Sequence, residues 1–409
     1  MANVRKDKII NDPIYGFIKL EQGLIYDLIS HPYFQRLRRI SQLGLSYLVY
    51  PGANHTRFQH AIGSMHLMNQ AITQIETKGH KLSQHEKESL KICILLHDIG
   101  HGPFSHALEK SIIPNIKHEH LSLLFMQYLN EKYDGKLSLA IKIFQNNYKK
   151  KYLHELVDSQ LDMDRLDYLK RDSFFSGVVE GNIGTERIIN MIDVVNDKLV
   201  IEEKGIYSIE QFLIARRLMY WQVYLHKTVV VAENILIQIL KRVKLLITNK
   251  KLLYSEKPLH LFLKNNFNIH DFKQNPKLLH EFTKIDDYDI YNYLKEWQSS
   301  EDFVLSSLCK MILNRNFLKI KIQNTLFQKE ELEHKISLVI KEWNLSREEA
   351  VYFVFSNQLT NNVYSMKQEK INILMKNGDV CDIAQISNQL KMNISSSNTE
   401  KYFLCYPKL

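Results

Sequence analysis

The sequence predicts a mainly α fold: a helical body over residues 1–325, with a smaller C-terminal α+β subdomain over residues 326–409. Three observations carry this. Helix formers such as Leu, Ile, Lys, Gln and Glu are plentiful, while Gly and Pro number only 14 and 8 in 409 residues. Helix start and stop signals recur through the first two thirds of the chain. After about residue 325 the texture changes to β-branched and aromatic runs. A composition 45% hydrophobic and 24% charged is enough to build a large core.

The elements follow in order. "PGANHT" (51–56) reads as a turn, and Thr56 or Asn54 caps the helix "RFQHAIGSMHLMNQAITQIE". Ser83, with Glu86 three residues on, is a capping box opening "QHEKESLKICILLHD". Gly100, Gly102 and Pro103 close that helix. "KHEHLSLLFMQYLNEKY" is a further helix, and "LVDSQLDMDRLDYLKRDSFFSG" continues a helical pattern to Gly177. "MIDVVNDKLVIEEKGIYS" predicts a strand pair turning at Asn196-Asp197. "SIEQFLIARRLMYWQVYLHKTVVVAENILIQILKRVKLLI" predicts a long helix with room for a break. Near the C-terminus "AVYFVFSNQ" and "KINILMKNGDVCDIAQIS" read as strands, with Asn377-Gly378 as a hairpin turn.

Composition also excludes classes. No apolar run approaches the ~20 residues of a membrane span, and "MANVRKDKIINDPIYGF" has no signal-peptide apolar region. Cys93, Cys309, Cys381 and Cys405 are widely separated, with no paired metal spacing, which predicts reduced thiols in a cytoplasmic protein. Fifty-four basic against 45 acidic residues give a net charge of +9, favouring anionic partners: nucleotides, polyphosphates or nucleic acid.

The chemistry concentrates in "KICILLHDIGHGPFSHALEK", where an apolar run meets His97-Asp98, then His101, His106 and Glu109. Buried charge needs a partner, and a divalent cation repays the desolvation of carboxylate and imidazole. Adjacent helical residues point about 100° apart, so further ligands must come from other helices. His60 and Asp164 are the candidates. Mixed His and Asp ligation suits iron, manganese, magnesium or zinc without choosing among them. Asp164, Tyr168 and Asp172 share a helix face, and Arg216, Tyr220, Tyr224 and Lys227 form a second stripe. Each stripe has an ordinary reading, a solvated face for the first and snorkelling cations for the second. The functional reading is phosphate held by the cations and a base or sugar stacked on the tyrosines.

With these residues in view, the chain resembles the HD-domain phosphohydrolases, specifically the dNTP triphosphohydrolase branch that includes bacterial dGTPases and the vertebrate SAM-and-HD-domain dNTP hydrolase. "NDPIYGFIKL", "HPYFQRLRRISQLG", "YPGANHTRFQHAIG", "LLHDIGHGPFSHALE", "KHEHLS", "LDMDRLDYLKRDSFFSG" and "YLHKT" carry the likeness, over roughly residues 8–320 with an HD core at about 50–175. The vertebrate relative's sterile-alpha-motif domain is expected to be missing.

The resemblance implies that His60, His97, Asp98 and Asp164 bind one divalent metal, with additional magnesium compatible on the nucleotide phosphates. It implies a catalytic shell of His101, His106, Glu109, His118 and Glu119. Arg57, Arg165 and Lys227 would face phosphates, with Arg216 near the phosphates or sugar. Gln42 and Leu43 would touch the sugar, Tyr168 would pack at C2′ and Asp172 would reach the 3′ side; Tyr224 belongs with this substrate wall. The implied reaction is hydrolysis to deoxynucleoside and inorganic triphosphate, with a metal-activated water attacking the α-phosphorus. The leaving O5′ would take its proton from His106 or His118, oriented by Glu109 or Glu119. A homotetramer is implied as well.

Two places depart from the family. Ser30 stands before His31-Pro32 where the vertebrate relative has an acidic residue that reads a guanine activator, although Lys8, Gln35 and Arg38 leave room for some regulatory nucleotide. Leu225 replaces the Gln of "YQHK", which implies a broad or shifted base preference. The alternatives are a nucleotide or single-stranded nucleic-acid binder with weak hydrolysis, and another HD-type phosphohydrolase or phosphodiesterase.

Overall fold

A helix whose C-terminal half is buried on every side carries the histidine-aspartate pair at its end. In a computed structural model, which describes residues 8–104, 111–114, 116–250, 257–359, 370–387 and 400–408, this is helix α2, Gln84–Leu96, following α1, Arg57–Thr77. Every residue of α2 from Ser89 to Leu96 is buried, Lys91 included, whose ammonium reaches Glu21 at 2.6 Å. A helical segment apolar all round must be enclosed. This one is packed against α1, which in turn packs against α4, Met163–Ser176. The fold is mainly helical, as expected.

The predicted capping box opens α2: the Glu86 N–H donates to Ser83 Oγ at 3.2 Å and the Ser83 N–H to the Glu86 carboxylate at 2.8 Å. Glu86 also accepts from the Tyr148 hydroxyl and the Lys150 ammonium. Burial would raise this carboxyl, but the Ser83 N–H, Lys150 and Tyr148 outweigh it and pull it down to about 2. A folded value below the unfolded one means stability that is present above about pH 4.5 and lost as pH falls toward 2. Glu86→Gln is therefore expected to cost about 2 kcal/mol at pH 7. The difference from wild type should close in urea melts at about pH 2.5.

Helix α3, His118–Lys132, presses on the turn after Asp98. A Cβ at Gly100 would meet His118 O at 2.3 Å and Ser122 N at 2.4 Å, so the approach requires glycine. The helical pattern ending at Gly177 begins later than the sequence suggested. Asp162 caps α4, its carboxylate accepting the N–H groups of Arg165 (2.7 Å) and Ser159 (2.8 Å), and this local bonding replaces helix through the preceding residues. Gly177, at φ 74°, ends α4.

The long helix does break. Helix α5, Ile206–Met219, passes through a π-turn at Tyr220–Tyr224 before α6, Lys227–Thr248, starts afresh behind the cap residue His226. The extra residue per turn re-aims side chains there.

Nine strands form three small sheets among the described residues. β1 (Lys8–Asp12) and β2 (Gly16–Leu20) make an N-terminal hairpin. β3 (Ile192–Val195) and β4 (Lys198–Glu202) turn at Asn196 and Asp197, both at positive φ (49° and 61°). β7 (Asn372–Leu374) and β8 (Val380–Asp382) extend that hairpin, with β7 parallel to β4. β5 (Lys319–Gln323) and β6 (Phe355–Leu359) flank β9 (Lys401–Tyr406). Main-chain pairing thus ties the C-terminal strands to the body. No helix among the described residues is long and apolar enough to cross a membrane.

Candidate active site

Helices α1, α2 and α4 each deliver part of one cluster. His60 comes from the first full turn of α1, His97 and Asp98 from the C-terminal end of α2, and Asp164 from the first turn of α4. His60 Nε2 lies 3.0 Å from Asp164 Oδ1 and 3.8 Å from Asp98 Oδ2. His97 Nε2 lies 3.4 Å from Asp164 Oδ1 and 3.5 Å from Asp98 Oδ1.

Each imidazole is oriented from behind. His60 Nδ1 meets Asp167 Oδ2 at 2.7 Å, and His97 Nδ1 meets the Ile94 carbonyl at 2.5 Å. Both partners accept, so each Nδ1 carries a hydrogen and each Nε2 faces the carboxylates, as an N–H when the ring is protonated or as a lone pair toward a cation. Those Nε2 atoms are buried and make no hydrogen bond among the described residues. Lone pairs and carboxylate oxygens at 3.0–3.8 Å repel unless positive charge sits between them. Burial opposes protonation of these rings, yet Asp164 and Asp167 overcome it at His60, raising its pKa to about 10. At His97, Asp98 and Asp164 do the same, to about 9. The pocket is built to enclose positive charge, and its imidazole and carboxylate donors fit a divalent ion.

The backing of His60 continues outward. Asp167 accepts from Arg171 (2.9 and 3.0 Å), and Arg171 also donates to Asp12 of β1 at 2.8 Å. Asp167 and Arg171 are fully buried. A Cβ at Gly63 would come within 2.1 Å of both Arg171 and Asp167, so α1 must be bare there.

On the other side Arg57 pairs with Asp98, whose carboxyl is held well below its usual range despite burial by His97, His101 and Arg57. His101 Nε2 lies 3.4 Å from Asp98 Oδ1, and its ring stacks on His118 with centroids 3.7 Å apart. Asp98, His101 and His118 form a second group of potential ligands beside the first. Burial, Arg57 and His118 push the His101 pKa well down. Arg36, also buried, donates to the carbonyls of Ile99 (3.1 Å) and His101 and props the turn. His118 Nδ1 stands 3.6 Å from Glu119 Oε2. His106 and Glu109 lie outside the described residues.

A cleft of about 470 Å³ opens from this cluster. Its walls include Gln42, Leu43, Arg57, Arg165, Tyr168, Asp172, Arg216 and Tyr224, all expected from the sequence, and Leu225. Arg165 pairs with Asp162 and Arg216 donates to Gln160 Oε1 at 3.0 Å, yet the buried Nε of each has no partner among the described residues. Asp172 is gripped by His55 Nε2 and the Tyr224 hydroxyl, both at 2.7 Å. Lys227 is not brought into the cleft: the π-turn re-aims the stripe, and Lys227 lines a separate cavity with Arg315, Lys319 and Lys408.

Sequence reasoning missed Asp167, Arg171, Asp12, His55, Asp162, Arg36 and Glu233. The i, i+4 spacing of Asp167 and Arg171 was the one available signal, and it equally describes a surface ion pair. Glu233 lines the cleft from α6, and burial alone pushes its carboxyl up to about 7.

Comparison with known proteins agrees with this geometry. Residues 57–172 match the HD domain and residues 183–255 the HD associated region. The uncharacterized protein YwfO of Bacillus subtilis is 31% identical over 420 residues, covering 100% of this chain and 94% of that one. A phosphohydrolase (BT4208) from Bacteroides thetaiotaomicron, solved by crystallography, superposes with a TM-score of 0.94 at 48% identity, covering 98% of this chain and 100% of that one. The human deoxynucleoside triphosphate triphosphohydrolase SAMHD1 is 31% identical over 264 residues, which is 54% of this chain and 42% of that one. A His/Asp cluster on three helices, a full-length relative and a near-superposable phosphohydrolase lead to one assignment: the chain belongs to the HD-domain family of metal-dependent phosphohydrolases.

Proposed function

We propose that the protein hydrolyses deoxynucleoside triphosphates to deoxynucleoside and inorganic triphosphate. The observation that carries this is the pair of buried, unpartnered guanidinium nitrogens, Arg165 Nε and Arg216 Nε, in the cleft that also holds the His/Asp cluster and the Tyr168–Tyr224 wall. Unpaired cationic donors are costly, and a polyphosphate satisfies them. Aromatic rings in the same cleft suit a nucleoside. The relatives named deoxynucleoside triphosphate triphosphohydrolase, at about 30% identity, support the same substrate class.

His60, His97, Asp98 and Asp164 would hold the metal. Bound there, a divalent ion polarises a phosphate oxygen and makes water nucleophilic at neutral pH. Arg57 keeps Asp98 ionised and aimed. Arg165 and Arg216 hold the negative charge of the leaving triphosphate. His118, with Glu119 beside it, would return a proton to O5′. The Tyr168 ring, packed edge-on against Tyr224 (centroids 6.2 Å apart), closes the wall against a 2′-hydroxyl. The reading extends to a cytoplasmic homotetramer with a regulatory nucleotide at Lys8, Gln35 and Arg38. Arg38 already donates to Gln35 Oε1 at 2.9 Å, and Lys8 lies over the Tyr26 ring.

The test incubates purified protein with each dNTP and NTP, singly and mixed, with manganese or magnesium, and separates products by chromatography. Deoxynucleoside plus triphosphate from dNTPs, with NTPs slower by about 100-fold, is expected. Nucleoside monophosphate as the only product, or no product from any mixture, would overturn the reaction.

A further inference from the structure

Each acid in the wall of the cleft has a partner except one. Asp98 pairs with Arg57, Asp164 sits against His60 and His97, and Asp172 holds His55 and Tyr224. Glu233 has no hydrogen bond or ion pair among the described residues, although it is half-buried in the same wall. Its Oε1 faces the Gln42–Gly44 loop, 3.7 Å from where a Cβ on Gly44 would stand. In that loop the Gln42 Oε1 atom is buried and unpartnered among the described residues. A buried, unpartnered amide oxygen and an unpaired, half-buried carboxylate in one wall, from a loop and from α6 nearly two hundred residues apart in sequence, point at a ligand that brings donors.

This rests on the proposed dNTP reading, and it deepens that reading. We infer that Glu233 reads the nucleobase, accepting N–H donors from its Watson–Crick edge, so that the cleft prefers guanine and disfavours thymine. A carboxyl group repels the triphosphate, whose charge the arginines and the metal cluster take instead, so Glu233 belongs to the nucleoside end. Gln42 Oε1 suits a sugar hydroxyl, and the base leaves the sugar beside it. Guanine offers N1–H and an N2 amino hydrogen side by side, matching the two oxygens of a carboxylate. Adenine and cytosine offer one amino group next to an acceptor. Thymine offers N3–H between two carbonyls, which the carboxylate repels. Leu225, also in the wall, has no hydrogen-bonding group to share this task. Burial with no compensating cation is consistent with a carboxyl awaiting neutral donors rather than a salt partner.

The test measures kcat/KM for dGTP and dTTP with wild-type protein and with Glu233→Gln, together with thermal melting. A bidentate base contact is worth about 5- to 150-fold in discrimination, and wild type should prefer dGTP by that much. Glu233→Gln, which offers one acceptor and one donor, should lower the ratio at least about 5-fold, chiefly through KM for dGTP. Its melting temperature should hold or rise, because no partner is orphaned. A ratio unchanged within about twofold, or a wild-type preference for dTTP, overturns the inference while dNTP hydrolysis stands. If Glu233→Gln does not fold, the carboxyl is structural and the inference is equally overturned. Wild type inactive on every dNTP removes the underlying reading, and this inference with it.

Discussion

Asp98→Ala is expected to abolish metal binding and turnover together while leaving a folded helical protein. Asp98 turns Oδ2 to His60 and Arg57 and Oδ1 to His97, so its loss removes a proposed ligand and a neighbour's anchor at once. Losing an outer-shell partner of a metal site typically costs 10- to 100-fold, so losing a ligand should exceed about 100-fold in affinity and in kcat/KM. Isothermal titration with manganese, run beside circular dichroism, reads both. Full turnover in this variant would mean the ligand set is wrong.

Arg171→Ala is expected to be the most destabilising single change near the site. Arg171 is buried between Asp167 and Asp12, and removing it leaves two buried carboxylates without their cation. Breaking a buried pair from one side costs about 3–5 kcal/mol, a large share of the ~5–15 kcal/mol that holds a typical protein folded. Urea denaturation at pH 7 reads it. The loss should also reach the metal site, because Asp167 is what holds the His60 ring in place. Refolded variant should bind manganese about 10- to 100-fold more weakly. A change under about 1 kcal/mol would show that the Asp12–Arg171–Asp167 chain does not hold the hairpin to the site.

The His/Asp cluster could be read from residue types because its chemistry is not easily mimicked: a buried apolar segment ending in His97-Asp98 calls for partners from other helices. The helices that carry it announced themselves by caps, Thr56 for α1 and the Ser83–Glu86 box for α2. The groups behind the ligands could not be read. Asp167 meets His60 across 107 residues, and on its own helix it looks like any i, i+4 partner of Arg171. The helical pattern of the sequence runs ahead of the start of α4 because Asp162 replaces helical bonding with its own side chain. Lys227 looked like the end of the Arg216–Tyr224 stripe, since a regular α-helix would place it there, and five residues of π-turn undo that spacing. Glu233 was invisible for the opposite reason: one acid in an amphipathic helix reads as solvent-facing, and only the tertiary fold turns it into the cleft.

Diffraction from crystals grown with manganese, recorded at its absorption edge, tests the centre of this reading most directly. One strong anomalous peak is expected within bonding distance of His60 Nε2, His97 Nε2 and the carboxylates of Asp98 and Asp164. A crystal whose manganese binds elsewhere, with those four side chains unbridged, would contradict it.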